Sequence, residues 1–78
     1  MVGISKADLG EVNDVYVDYE LEQVMFRWEA SSRMVYRKFY GEDEALLPIE
    51  HSNRLFNEAL SLGEEISAAE YKAGRAVK

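Results

Sequence analysis

Cysteine is absent from this 78-residue chain, and histidine and proline occur once each, as His51 and Pro48. Without cysteine there is no disulfide and no thiolate metal site, and a lone histidine removes most histidine-based zinc designs. A chain this short is one domain at most, and such domains bury only about 60% of the surface their unfolded forms expose. The usual supports are disulfides, a metal or a partner. With the first two excluded, association with another chain is the support that remains, and no cofactor is expected.

Other absences narrow the function. The five glycines are scattered, so no glycine-rich phosphate loop is present. The acidic run Glu42-Asp43-Glu44 lacks the alternation and central glycine of a calcium loop. A nucleophilic triad needs a base beside its nucleophile, and His51 lies among Glu50, Ser52 and Asn53, which point to different faces of any helix. It reads as a solvated or cap-associated residue. Glu42, Glu44 and the pair Glu64-Glu65 read as solvated acidic loops rather than acid–base machinery, and no enzyme activity is expected. No apolar run approaches the length of a membrane span, and residues 1–6 contain no apolar h-region. The expected location is the cytoplasm.

What the chain does contain is a dense block of aromatic residues. Seven of its nine aromatic side chains fall within residues 15–40: Tyr16, Tyr19, Phe26, Trp28, Tyr36, Phe39 and Tyr40. Residues 27–40 also form a basic island of net +3, between an acidic flank of −5 at 1–26 and one of −6 at 41–65. The whole chain carries −6, and this field disfavours general binding to phosphate backbones. Its 47% hydrophobic content is that of a folded domain.

Hydrophobic periodicity predicts an α+β fold. A weak start signal at Ser5 and Asp8, with Gly10 as a stop, suggests one helical turn at 6–9. Period-two alternation then predicts strands over 12–19, 23–30 and 33–40, an antiparallel three-stranded meander. Ser31-Ser32 makes the second turn; the first, near Glu20-Leu21, is less sharply marked. With two-residue or four-residue turns, which share one parity, Asp14, Arg27 and Tyr36 line up across the strands, as do Tyr16, Met25 and Lys38. One face then gathers Val15, Val17, Val24, Phe26, Trp28, Val35 and Phe39 as a core, with Arg37 as the exception, opposite Phe26. Pro48 at a first turn, apolar spacing from Ile49 to Leu62 and Gly63 as a cap predict one amphipathic helix at 48–62 packed on that face. A capping box at Ser67 and Glu70 opens a short C-terminal helix at 68–76.

The second sheet face carries Tyr16, Met25, Arg27, Met34, Tyr36, Lys38 and Tyr40. Tyrosine, methionine and arginine are enriched at protein interfaces, so this face is the expected partner-binding site, with Glu42, Asp43 and Glu44 as a secondary acidic contact. The competing structural expectation is that the C-terminal helix folds over it. The expected function is a non-enzymatic protein–protein interaction module. Small phage-encoded inhibitors of restriction and CRISPR systems are likewise short, acidic and cysteine-free. By that analogy of size and charge, the module is an inhibitor of a larger nucleic-acid-processing or defence complex. The alternatives are a single-stranded nucleic-acid-binding sheet, with Arg27 and Lys38 beside bases stacked on Tyr16, Tyr36 and Tyr40, and a small homodimeric protein. The expected partners are another protein or a second copy, with no membrane and nucleic acid disfavoured.

Overall fold

The computed structural model describes residues 13–77; the helical turn expected at 6–9 lies outside them. Strands β1 (Val15–Tyr19), β2 (Val24–Glu29) and β3 (Met34–Phe39) form the antiparallel meander. Helix α1 (Arg54–Leu62) follows, then a three-residue strand β4 (Glu64–Ile66) and the short helix α2 (Ala68–Ala73). The sheet order is β3-β2-β1-β4, so the chain returns after α1 to pair with the outer edge of β1. The expected three strands are therefore four, with two helices.

Strand parity divides the faces as the alternation implied. Val15, Val17 and Tyr19 stack beside Trp28, Phe26 and Val24, and α1 covers this face with Phe56, Ala59 and Leu60. Phe26 and Phe56 meet at 5.5 Å between ring centroids. Arg37 lies opposite Phe26, its guanidinium 5.0 Å from the centre of the Phe39 ring. The β2–β3 register is the expected one, with Arg27 opposite Tyr36 and Met25 opposite Lys38.

The β1–β2 register is not. Tyr16 sits opposite Arg27 and Asp18 opposite Met25, two residues away from the expected alignment. The reason is the first turn. A 3₁₀ turn at Glu20–Glu22 lengthens it, and Gln23, at φ 52°, closes it by donating its N–H to Glu20 O at 3.0 Å. A shift of two leaves every side chain on its original face.

The first helix begins six residues later than its apolar spacing suggested. Asn53 is the cap, its side chain accepting the Phe56 N–H at 3.0 Å. Pro48 and Ile49 instead belong to a segment laid along the free edge of β3. There the Ala45 N–H donates to Arg37 O at 2.9 Å, and the Ile49 N–H donates to Val35 O at 2.8 Å. Ile49 packs against the core from this position, so it satisfies the burial that the helical reading assigned to it. The C-terminal helix opens on the expected Ser67–Glu70 capping box. It stops at Ala73, where Gly74, at φ +76° and ψ 179°, takes an extended positive-φ conformation that is open essentially to glycine alone.

Candidate partner-binding surface

Helix α2 crosses the second sheet face and divides the expected site. Tyr71 places its ring 5.2 Å from that of Tyr16 and donates its hydroxyl to Glu44 Oε1 at 2.7 Å. Lys38 Nζ donates to the carbonyls of Tyr71 and Lys72 at 2.8 and 3.2 Å, at the C-terminal end of the helix, where a cation is favoured. Arg75 Nε reaches Asp18 at 2.8 Å. Beneath this clamp, Met25, Tyr40, Ile66 and Tyr71 form a second small core. Met25 and Tyr40 are 0% and 2% exposed, so the structure makes them packing residues, not a surface that a partner can touch.

Arg27 is also spoken for. Its Nε and Nη2 donate to the two carboxylate oxygens of Glu44 at 2.8 and 3.1 Å, and Nη1 donates to Glu29 at 3.0 Å, with Asp14 at 3.9 Å. The guanidinium also lies 4.6 Å from the centre of the Tyr36 ring. Glu44 is thus folded inward, and only Glu42 and Asp43 of the acidic run are exposed. Met34 stays exposed and Tyr36 half-buried. Of the expected contact face, then, Met34 and Tyr36 remain on the surface, Tyr16 and Lys38 are half-buried under α2, and Arg27 serves the fold. The nucleic-acid platform is dismantled by the same contacts, because Tyr40 is buried and both cations are engaged.

Glu44 gives the clamp a pH dependence. Partial burial works to raise its pKa, but the hydrogen bonds from Arg27 and Tyr71 outweigh that and hold it below the ordinary glutamate range. A carboxylate with a depressed folded-state pKa contributes stability that is present above its unfolded value, about 4.3, and is lost as pH falls through the folded value. Glu29 shifts in the same direction through Ser32 and then Arg27. Acid titration followed by circular dichroism is expected to show stability falling below about pH 4.3, and Glu44→Gln is expected to flatten that fall. An unchanged acid limb in the variant rejects this assignment.

Glu64 and Glu65, expected in a loop, are exposed residues of β4. His51 Nε2 lies 2.6 Å from Arg33 O and its ring 5.4 Å from Trp28. Among the described residues no group of three or more histidine, cysteine, aspartate or glutamate side chains is placed to hold a metal. No helix among them is long and apolar enough to cross a membrane.

Sequence reasoning passed over the most exposed apolar residues. Leu46 is 95% exposed and Leu47 77%, in the segment along the β3 edge. Leu21 and Leu62 are exposed beside a shallow groove at the far end of β1. The available signal was two leucines preceding Pro48. The apolar spacing that predicts a helix from 48 begins after them, so no periodicity marks them in the sequence.

Comparison with known proteins identifies the family. The sequence model of the Tis1 immunity protein family matches residues 2–75. Immune protein Tis1 of Pseudomonas aeruginosa (strain UCBPP-PA14) is 42% identical over 73 residues, spanning 94% of this chain and 95% of that protein. In a crystal structure of the complex between the type VI effector Tas1 and its immunity protein, the matching chain superposes with a TM-score of 0.93 at 41% identity, covering 97% of this chain and all of the other. These matches overturn the phage anti-CRISPR and anti-restriction expectation, which rested on size and charge alone. They do not favour the nucleic-acid or homodimer alternatives. The chain belongs to the Tis1 immunity protein family.

Proposed function

We propose that this chain is an immunity protein that binds a type VI effector of the Tas1 kind and neutralises it by occupying its surface. The observation that carries this reading is the near full-length match, in sequence and in fold, to the immunity chain of a solved effector complex. The chemistry is compatible with binding rather than catalysis. Arg27, Lys38, Arg54 and Arg75 are engaged within the chain. Glu42, Asp43, Glu50, Glu64 and Glu65 are exposed. These four cations are thus paired within the chain, the Arg54 pair at the surface, while the carboxylates face outward, which suits a partner with a basic surface. A cysteine-free chain gains nothing from an oxidising compartment, and we place its action in the cytoplasm.

Calorimetric titration of purified Tas1 with this chain is expected to give a one-to-one complex. Mass spectrometry of Tas1 released from it is expected to show an unchanged effector. Absence of binding overturns the reading, and a covalent change in Tas1 overturns its non-catalytic part.

A further inference from the structure

We infer that residues 45–49 are the docking element of this chain, and that Leu46 and Leu47 enter an apolar pocket with a basic rim on the effector. This rests on the proposed function and deepens it by assigning the surface. An exposed leucine alone means little, because much of any protein surface is apolar. Here the two leucines are adjacent, 95% and 77% exposed, and held outward by their flanks. The backbone bonds Ala45 N–H to Arg37 O and Ile49 N–H to Val35 O bracket Tyr36 on β3 and fix both ends of the arc. Between them, Pro48 locks its own φ and confines Leu47 to extended backbone. The arc is thus preorganised, and little conformational freedom remains to be lost on binding.

Charge selects the occupant. The exposed carboxylates Glu42 and Asp43 precede the leucines and Glu50 follows them; of the nearby cations, Arg27 is neutralised by Glu44 and Glu29, and Arg37 is half-buried on β3 with its guanidinium over the Phe39 ring. An apolar tip with an acidic border matches a pocket bordered by lysine or arginine, and it disfavours a second copy of this acidic chain. The rival surface is weaker. Leu21 and Leu62 come from separate elements, and the groove beside them is lined by Asp18, Glu20 and Glu64.

The test is titration of Tas1 with the wild-type chain, with Leu46→Asp/Leu47→Asp and with Leu21→Asp/Leu62→Asp, alongside thermal melts and sedimentation of each. All four positions are exposed, so the melts are expected to match wild type. The Leu46/Leu47 variant is expected to bind at least about 100-fold more weakly, and the Leu21/Leu62 variant within about threefold of wild type. Reversal of Glu42 and Asp43 to lysine is expected to slow association about tenfold at low salt. Unchanged binding by the Leu46/Leu47 variant overturns this surface and leaves the immunity reading standing. Failure of the wild-type chain to bind overturns that reading, and the surface with it. A wild-type dimer that the Leu46/Leu47 variant dissociates assigns the leucines to self-association and overturns the inference.

Discussion

Gly63→Ala is expected to destabilise this protein by about 3 kcal/mol, lowering Tm by roughly 15 °C for a domain of this size. Gly63 joins α1 to β4 and lies flat against β1. A Cβ at this position would sit 2.6 Å from the carbonyl oxygen of Asp18 and 2.7 Å from that of Ala59. Both neighbours are backbone atoms, one in a central strand and one in the last turn of the helix, so no rotamer change relieves the overlap. The Gly63 N–H also donates to Ala59 O at 2.8 Å, which fixes its approach to the helix end. Its φ is −85°, a value open to any residue. Glycine is required here for lack of volume and not for handedness. Thermal denaturation of Gly63→Ala checks this, and a Tm within 3 °C of wild type, against the estimate, refutes the close-packing account. Gly63→Ser should fare no better, since any Cβ meets the same oxygens.

Asp18→Ala is expected to cost about 2–3 kcal/mol, through a group left behind more than through the one removed. Asp18 is 4% exposed on the face beneath α2. Its Oδ1 accepts the Tyr40 hydroxyl at 2.6 Å and its Oδ2 pairs with Arg75 at 2.8 Å. Arg75 is more than one-third exposed and regains water when its partner is lost. The Tyr40 hydroxyl has no such recourse, because its residue is 2% exposed. Burial and then Asp18 hold its pKa well above the ordinary tyrosine value, so it remains a neutral donor that needs an acceptor. A double-mutant cycle separates the terms. Tyr40→Phe in the Asp18→Ala background should recover about 1 kcal/mol or more by removing the orphaned donor. Strictly additive losses would show that the bond contributes nothing.

Both residues bear on what the chain reveals unaided. Strand alternation places Asp18 on the second sheet face as one more polar residue, and helical spacing makes Gly63 a cap. Each label was locally sound. Only the return of the chain after α1 gives them their roles, because β4 brings Gly63 against β1 and α2 brings Arg75 over Asp18. The same return converts Met25 and Tyr40 from expected contacts into core, while Arg27 becomes the hub of a carboxylate cluster. The candidate surface shifts with them, from the aromatic face of the meander to its edge. Leu46 and Leu47 lay in plain view but had no periodicity to mark them.

Local chemistry alone settled the alternation of the meander, its two faces, the short C-terminal helix and its capping box. These depend on side-chain period and on hydrogen bonds within four residues, which any short window of sequence contains. Tertiary structure decided the length of the first turn, the start of α1, the existence of β4 and the covering of the second face. Apart from the first turn, which the Gln23–Glu20 bond closes locally, each turns on contacts between residues far apart in the chain. A three-residue acidic strand forms because β1 has a free edge to pair with, and Ile49 leaves its helix because β3 has one too.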